Sequence, residues 1–451
     1  MNRDSIRYRP YTLSHLRNIP QVTKHLSPSQ IDEIEMVAHV LPFRTNNYMV
    51  QELIDWRNVP DDPLFKLNFP HSDMLLPDHH HRLKGAISSG NKEDVERVAG
   101  EIRLALNPHP AGQLTHNVPM LDGERLDGVQ HKYRETVLFF PSQGQTCHAY
   151  CTFCFRWPQF VGMEKYKFAS NETKKLKKYI QHHPQVTDVL ITGGDPLIMR
   201  TRILKEYIEP LLEIPHLRNI RIGSKALSYW PYRFVTDPDA DELLELFKFI
   251  TDQGKHLALM AHFNHIQELR TGIVCEAIDR IRATGAEIRT QSPILRNLND
   301  DADLWASMWK KQVNLGMIPY YMFVVRNTGA QHYFALPLIA AWKIFRQAYQ
   351  QVSGLARTVR GPSMSCNPGK IMINGVAQLK GQRVIVLQTI QGRKPQWVGR
   401  PFFAEYDEEA MWMSDLQPAF GKKAFYFEDE LASFQRRRAQ AHNAIFNTQS
   451  A

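Results

Sequence analysis

Short apolar segments alternate with segments of helical periodicity between about residue 130 and residue 326. This alternation constrains the fold most, because it is typical of a parallel sheet whose strands are joined by crossover helices. Two such helices are predicted at residues 239–253 and 273–284, each followed by a glycine that suits a helix end. We therefore predict an α/β fold. Six strands are predicted, at residues 137–140, 188–191, 219–222, 256–260, 287–290 and 318–325.

Polar or glycine residues follow every predicted strand. The first strand leads into a loop with three cysteines, and the later strands lead into residues 193–196, 223–225, 262–265, 291–292 and 326–327. In a β/α barrel the carboxyl ends of the strands lie on one face, and that face carries the chemistry. Six units, fewer than the eight of a closed barrel, predict a partial (β/α)6 barrel with a site at this face.

The flanking segments differ from this central region. Residues 1–125 are predicted to form a helical N-terminal cap, in which Ser27 and Pro28 begin a helix. Residues 126–335 form the predicted barrel. Residues 336–451 are predicted to be a C-terminal extension with short strands such as residues 384–387.

Three of the five cysteines, Cys147, Cys151 and Cys154, occur within eight residues with the spacing C-x3-C-x2-C. Three thiolates can bind three irons of a [4Fe-4S] cluster and leave the fourth iron open to a substrate. The alternative is a structural zinc site, which requires four ligands and usually two short ligand pairs. No second pair is present, and His148 is the candidate fourth ligand. The spacing favours the cluster.

Composition excludes several classes of protein. Few cysteines outside the cluster argue against a secreted disulfide scaffold, and no apolar stretch approaches the length of a membrane span. We expect a cytoplasmic protein. The formal net charge of +9 raises the question of nucleic-acid binding, but we expect solvated helix faces and no nucleic-acid partner. The candidate basic residues are Lys174, Lys175, Lys177, Lys178 and Arg436, Arg437 and Arg438.

In its cysteine spacing the chain resembles the radical S-adenosylmethionine (SAM) superfamily, and across residues 10–375 it resembles the lysine 2,3-aminomutase family. The order and spacing of several passages are together more specific than the cysteine motif alone. These passages are residues 131–133, the cysteine loop with 155–156, and residues 188–197, 221–224, 262–265, 291–300, 319–321 and 369–370.

The resemblance implies three cofactors: a [4Fe-4S] cluster, SAM and pyridoxal phosphate (PLP). Reduction of the cluster would cleave SAM to a deoxyadenosyl radical. Lys370 matches the lysine that holds PLP as an imine, and an imine gives the migrating nitrogen a π-system through which a radical can pass. The implied reaction is therefore a 2,3-aminomutation, in which an α-amino acid becomes its β-isomer.

The resemblance also implies roles for individual residues. Gly193, Gly194 and Asp195 match the turn that contacts the SAM amino group. Arg156 matches the arginine that binds the substrate α-carboxylate, a task suited to its bidentate geometry. The remaining implied cofactor-binding residues are Lys132, Tyr133, Ser224, His262, Gln291 and Tyr320.

The chain departs from the family pattern at PLP and substrate positions. Two arginines bind the PLP phosphate in the family, whereas this chain has Lys132 and Thr136 there, and residues 365–369 replace a glycine-rich run. Two aspartates that pair with the substrate's distal ammonium are replaced by Arg326 and Ser363. An ammonium buried against Arg326 would lose on the order of several kcal/mol, so we expect an anionic side chain on the substrate rather than lysine.

Two other functions remain open from the sequence. One is a PLP-independent radical SAM enzyme that modifies an amino acid, a peptide or a small metabolite. The other is a noncatalytic iron–sulfur partner protein. For the aminomutase and for the PLP-independent enzyme we expect an electron donor such as flavodoxin or ferredoxin. The sequence leaves the oligomeric state open, with a homo-oligomer as one alternative.

Overall fold

The computed structural model of this chain describes residues 6–107, 116–163 and 167–436. Its largest element is an eleven-stranded sheet in which neighbouring strands follow one another in chain order. The sheet contains β5 (Val129–Tyr133), β6 (Thr136–Phe139), β7 (Asp188–Ile191), β8 (Asn219–Ser224), β9 (His256–His262), β10 (Glu287–Ile294), β11 (Ile318–Val324), β12 (Arg360–Ser365), β13 (Gly369–Leu379), β14 (Gln382–Gly392) and β15 (Pro401–Glu405). Strands β6 to β12 run parallel to one another, whereas β5 pairs antiparallel with β6, and β12 to β15 pair antiparallel in succession.

Two short two-stranded antiparallel sheets complete the strands. One pairs β1 (Pro10–Tyr11) with β2 (Thr45–Asn46), and the other is a hairpin of β3 (Met120–Leu121) and β4 (Glu124–Arg125).

The described α-helices lie before the sheet and between its parallel strands. They are α1 (Pro20–His25), α2 (Pro28–Val37), α3 (Pro63–Asn68), α4 (Pro77–Ser88), α5 (Lys92–Ala105), α6 (Thr173–Gln181), α7 (Thr201–Leu212), α8 (Ala226–Tyr229), α9 (Ala240–Asp252), α10 (Gly272–Ala283), α11 (Ala302–Asn314), α12 (Gln331–Phe334) and α13 (Leu338–Gln350). Ser27 caps α2, and its hydroxyl accepts from the amide of Gln30. This confirms the predicted start of that helix.

All six predicted strands are present as β6 to β11. Strands β8, β9 and β10 continue two to four residues beyond the predicted ends, because pairing with parallel neighbours extends into polar positions such as His262 and Gln291. The short apolar runs in the sequence indicate only the first part of each of these strands. The predicted α/β class is confirmed.

The count of six parallel strands was wrong by one, because β12 also pairs in parallel with β11. Its sequence includes Gly361 and Pro362, which usually indicate a turn rather than a strand. A Cβ at Gly361 would lie 2.6 Å from the carbonyl oxygen of Met322, so this glycine allows β12 to approach β11 closely.

The two ends of the sheet approach each other. Strand β14 contacts β5, and the Lys132 Nζ on β5 donates to the carbonyl oxygen of Cys366, which follows β12. A large apolar core lies beneath the parallel strands, and a second core lies beneath β13 to β15 around Trp397, Phe402 and Trp412. Within the described ranges, no helix has both the length and the apolar character needed to cross a bilayer.

The predicted basic face on α6 carries ion pairs. Lys177 lies 2.5 Å from a carboxylate oxygen of Glu213, and Lys178 lies 2.5 Å from one of Asp122. Arg437 and Arg438 of the second basic run lie outside the described residues.

Candidate functional site

The three clustered cysteines lie on the loop that follows β6, and all three are half-buried. Burial raises the pKa of the Cys151 thiol to about 12 and raises the pKa values of the Cys147 and Cys154 thiols as well. A buried thiol deprotonates readily only when a cation, such as a metal centre, stabilises the thiolate. Without such a cation the three thiols therefore stay protonated near neutral pH.

The geometry of the loop bears on the zinc alternative. The His148 side chain is buried against Tyr8, with ring centroids 5.4 Å apart, and burial lowers its pKa to about 3. Throughout the part of the chain that the structure describes, no three His, Cys, Asp or Glu residues converge on a single metal ion. A zinc site requires such convergence, whereas three cluster cysteines each bind a different iron. The choice between cluster and zinc therefore rests on the cysteine spacing.

N-terminal segments hold the cysteine loop from outside. The Tyr8 hydroxyl donates to the carbonyl of His148 at 2.8 Å, and the Asn46 side chain donates to the same carbonyl at 3.1 Å. The amides of Tyr150 and Thr152 donate to the carbonyls of Arg44 and Leu67, each at 2.9 Å. The loop is thus fixed by residues that lie about a hundred positions earlier in the sequence.

Gly193 and Gly194, which follow β7, pack against the segment that leads into the cysteine loop. A Cβ at Gly194 would lie 2.4 Å from the carbonyl oxygen of Thr146, and a Cβ at Gly193 would lie 2.6 Å from the side chain of Gln145. The amide of Asp195 donates to the carbonyl of Thr146 at 2.7 Å. Only glycine permits this approach, so the pair positions the residue that directly precedes Cys147.

The buried carboxylate of Asp195 joins the ends of β7 and β8. It accepts from the Ser224 hydroxyl at 2.7 Å, from the Lys225 amide at 2.8 Å and from the Leu197 amide at 3.0 Å. Burial raises the pKa of Asp195 to about 6, and these hydrogen bonds oppose the rise. The Asp195 carboxylate therefore links the turn that follows β7 to the end of β8 and fixes the geometry of that turn.

Lys225, Tyr229 and Glu268 were not predicted to belong to the site. Lys225 Nζ lies 2.5 Å from a carboxylate oxygen of Glu268 and 4.3 Å from the ring centre of Tyr229. The Tyr229 hydroxyl lies 3.2 Å from Sγ of Cys151. The position of Lys225 directly after a strand was an available signal. Nothing in the sequence marked α8, which carries Tyr229, or the short helix Ile266–Leu269, which carries Glu268.

His262 and Gln291 are opposite one another on β9 and β10. The Gln291 amide nitrogen donates to Nε2 of His262 at 2.7 Å. Burial, together with the charge of Lys225, lowers the pKa of His262 to about 3, so the imidazole is neutral and its other nitrogen carries the proton. The structure thus brings both predicted residues together at the carboxyl ends of the strands.

Arg156 lies close to the cysteine loop and has unused hydrogen-bonding capacity. Its Nη2 donates to the side chains of Gln145 at 3.2 Å and Gln159 at 2.8 Å, and its guanidinium lies 4.5 Å from the ring centre of Phe140. The buried Nε has no partner among the described residues. Burial lowers the pKa of Arg156 to about 10, so it stays positively charged near neutral pH. This buried cation can receive an anionic group.

Lys370, on β13, extends into a set of aromatic rings. Its Nζ lies 4.3 Å from the ring centre of Tyr321, 5.6 Å from that of Phe323 and 5.9 Å from that of Tyr133. No described group accepts a hydrogen bond from it. Burial, with Arg221 and Arg360 nearby, lowers the pKa of Lys370 to about 7. About half of this amine is therefore unprotonated and nucleophilic at neutral pH.

The other residues predicted around PLP surround the same region. Tyr133 is buried, and the ring of Tyr320 is contacted by the guanidinium of Arg360 at 4.3 Å. Lys132 donates to the carbonyl of Cys366, and Arg326 donates to the carbonyl of Ser365 at 3.3 Å. Lys132 and Arg326 thus meet at the turn that precedes Lys370.

Thr136, at one of the family's phosphate-binding positions, is engaged elsewhere. Its hydroxyl donates to Asp188 at 2.8 Å, and the same carboxylate pairs with Arg221. Thr136, at a position where the resemblance predicts arginine, therefore takes part in a hydrogen-bonded network between β6, β7 and β8.

Comparison with known proteins identifies several relatives. No family model matches the chain. A protein of Aquifex aeolicus (strain VF5), provisionally named L-lysine 2,3-aminomutase, is 33% identical over 384 residues, which cover 85% of this chain and 90% of that protein. The L-lysine 2,3-aminomutase of Escherichia coli (strain K12) is 28% identical over 244 residues, covering 52% of this chain and 66% of that protein. That of Clostridium subterminale is 29% identical over 227 residues, covering 50% and 51% respectively.

Proposed function

Because this chain belongs to the lysine 2,3-aminomutase family as a divergent member, we propose that it is a radical SAM, PLP-dependent 2,3-aminomutase. Its proposed substrate is an amino acid with an anionic side chain. When bound, the cluster and SAM supply the radical that removes a hydrogen atom from the substrate, and PLP supplies the π-system through which nitrogen migrates.

The observation that carries this proposal is the environment of Lys370. An amine that is to react with the PLP aldehyde must lose its proton, and the aromatic surroundings favour the neutral form. Aromatic rings also suit the faces of a pyridine ring. An ordinary structural lysine would instead extend its ammonium group into solvent or pair with a carboxylate.

The proposed cluster ligands are Cys147, Cys151 and Cys154, each of which can supply one thiolate. The carbonyl oxygens of Gly193 and Gly194 accept no hydrogen bond from a described group, so they are suited to accept from the SAM amino group. Asp195 and Ser224 would keep this turn in position, and His262 with Gln291 would line the same face.

The proposed substrate contacts lie between these two regions. Arg156, with its unpaired Nε, would bind the α-carboxylate close to the cysteine loop. Arg326 lies over the ring of Phe155 at 5.0 Å, which places it beside the same loop, and it would bind an anionic side chain. Tyr320, Tyr133 and Lys132 would contact PLP.

We also propose that the sheet closes as a partial barrel around this site. Support comes from the contact of β5 with β14 and from the bond between Lys132 and Cys366. In this proposal residues 1–125 cap the barrel, residues 126–335 form most of it, and residues 336–451 close it and contribute Lys370.

Borohydride trapping tests the PLP assignment. The protein, prepared without oxygen and with its cluster reconstituted, is incubated with PLP, desalted, reduced with borohydride and mapped by peptide mass spectrometry. We expect a pyridoxyl adduct at Lys370. The adduct should vanish from the Lys370→Ala variant and persist in the Lys380→Ala variant, which removes an exposed lysine from the turn between β13 and β14.

Bound iron and sulfide without an adduct at Lys370 would contradict PLP dependence. The PLP-independent radical SAM function would then be favoured, provided that the protein still forms deoxyadenosine from SAM. If neither an adduct nor deoxyadenosine forms, the noncatalytic function would be favoured.

A further inference from the structure

Three cationic side chains converge on the short turn formed by Ser365, Cys366 and Asn367, directly before Gly369 and Lys370. They come from distant parts of the fold, and each donates to a different backbone carbonyl of the turn. Lys132 of β5 donates to Cys366, Arg326 donates to Ser365 at 3.3 Å, and Arg393, which follows β14, donates to Asn367 at 2.8 Å.

Backbone carbonyls do not neutralise this much positive charge. No described carboxylate pairs with Lys132 or Arg326, and burial together with the charge of Arg393 lowers the pKa of Lys132 well below its ordinary value. A buried cation is costly unless an anion accompanies it. A bound anion would therefore stabilise the positive charge at this turn. Lys132 and Arg326 are each held there by one hydrogen bond to a backbone carbonyl.

The cations fall into two groups. Arg326 points toward the cysteine loop, as its contact with Phe155 shows. Arg393 lies on another side, where its Nη2 donates to Asn117 at 2.6 Å and its guanidinium lies 5.1 Å from the ring centre of Phe434. Lys132 and Arg393 donate to the adjacent carbonyls of Cys366 and Asn367, whereas Arg326 contacts Phe155 of the cysteine loop, so the first two cations form one group and Arg326 forms the other.

Lys132 and Lys370 also contact one aromatic ring in common. The Nζ atoms of Lys132 and Lys370 lie 5.5 and 5.9 Å, respectively, from the centre of the same Tyr133 ring. A pyridoxal ring attached to Lys370 would therefore carry its phosphate into the neighbourhood of Lys132. A phosphate dianion is the ligand that two adjacent cations of this kind match best.

We infer that Lys132 and Arg393 bind the phosphate group of PLP, and that Arg393 supplies the positive charge that is absent at Thr136. This inference rests on the proposed function, since it requires PLP at Lys370. The C-terminal extension would then bind the cofactor through two residues, Lys370 and Arg393. Arg326 would remain available to bind the substrate.

The test compares PLP with pyridoxal, which has the aldehyde but lacks the phosphate. Binding to the apo-protein is followed by the visible absorbance of the bound cofactor and by borohydride-trapped adduct at Lys370. We expect the wild type to prefer PLP strongly, and inorganic phosphate to compete with PLP but not with pyridoxal. In Arg393→Gln the preference for PLP should fall about 10- to 100-fold, the effect of one charged hydrogen-bonding partner.

Three further variants control for structural damage. Arg393→Lys, which keeps the charge, should retain most of the preference. Arg383→Gln removes an arginine from β14, the strand that precedes Arg393. Arg383 contacts Tyr406, and its loss should leave the preference unchanged. Arg326→Gln should also leave it unchanged, because this residue is assigned to the substrate.

The outcomes separate this inference from the proposed function. If neither PLP nor pyridoxal forms an adduct at Lys370, the phosphate site and the proposed function are both overturned. If adducts form but the wild type binds PLP and pyridoxal with equal affinity, only the phosphate site is overturned. The same holds if inorganic phosphate does not compete with PLP. A loss of preference in Arg326→Gln but not in Arg393→Gln would likewise overturn the assignment. The competition experiment needs no variant, so it remains decisive even where Arg393→Gln fails to fold.

Discussion

The hydroxyl oxygen of Tyr229 lies 3.2 Å from Sγ of Cys151, and Nζ of Lys225 lies 4.3 Å from the centre of the same tyrosine ring. When Cys151 is a thiolate it has no proton, so the tyrosine must be the donor. Hydrogen bonds to cluster sulfurs stabilise the reduced, more negatively charged state and so raise the reduction potential.

We therefore predict that Tyr229→Phe shifts the midpoint potential of the reconstituted cluster to more negative values. The measurement is a redox titration followed by electron paramagnetic resonance. Tyr48→Phe is the matched control, because Tyr48 is equally buried but bonds to Thr271 at 2.8 Å. Equal potentials in Tyr229→Phe and the control, at equal iron content, would rule out this role.

The reactivity of Lys370 should depend on pH. Its pKa is lowered to about 7. The fraction of Lys370 in the neutral form therefore rises roughly tenfold per pH unit below pH 7, and deprotonation is nearly complete one to two pH units above 7. The rate of adduct formation with pyridoxal should follow this curve, with its inflection near 7. N-acetylated lysine provides the comparison and should show an inflection near 10. An inflection near 10 for the protein as well would contradict the buried, aromatic environment.

Gly194→Ala should disturb the cysteine loop. The added methyl group would lie 2.4 Å from the carbonyl oxygen of Thr146, and the loop cannot move without losing its backbone contacts. We expect a loss of about 1–3 kcal/mol in the free energy of unfolding and a lower content of iron and sulfide per chain.

Gly100→Ala on α5 is the control for this change, since a Cβ there would meet nothing within 4 Å. It should be neutral or slightly stabilising, because alanine favours helices over glycine. Normal iron content in Gly194→Ala would show that the glycine is not needed to position the cysteines.

Glu268→Gln should destabilise the fold strongly. The Glu268 side chain is fully buried and that of Lys225 is 12% exposed, so the substitution leaves a buried ammonium without its counter-charge. Urea denaturation should show a loss of about 3–5 kcal/mol. The double variant Lys225→Met with Glu268→Gln should recover part of this loss, because it removes the unpaired charge. A double variant less stable than Glu268→Gln would contradict the explanation.

Arg326 should select the substrate. A screen of amino acids with the complete enzyme should show turnover of glutamate or aspartate and none of lysine, because an ammonium opposite Arg326 is repelled. Arg326→Gln should raise KM for the acidic substrate, whereas Arg346→Gln on the exposed face of α13 should not. Turnover of lysine but not of glutamate or aspartate would refute the proposed substrate class.

Local sequence determined the parallel strands and the ends of the helices. The strand Asp188–Ile191 was predicted with its observed bounds, and Gly254 and Gly285 follow α9 and α10 in the left-handed conformation, as expected of residues that end a helix. These features depend on side-chain periodicity and on φ angles that only glycine adopts easily, both of which are local properties. The cysteine spacing is local in the same sense.

The seventh parallel strand could not be predicted in this way. Arg360–Ser365 contains glycine and proline, and it forms a strand only because β11 offers an unpaired edge and Gly361 allows a close approach. Pairing with a distant strand thus overrode the local signal, as strand propensity commonly yields to its context.

The sequence by itself identified the candidate residues: three clustered cysteines, a lysine at a matched position, and an arginine and a serine where a lysine-specific enzyme has aspartates. The tertiary structure decided their environments. Lys132 and Cys366 are 234 positions apart, and Tyr229 is 78 positions from Cys151. Burial and neighbouring charge set the pKa of a group and the ligand it can hold, and both arise only when distant segments pack together.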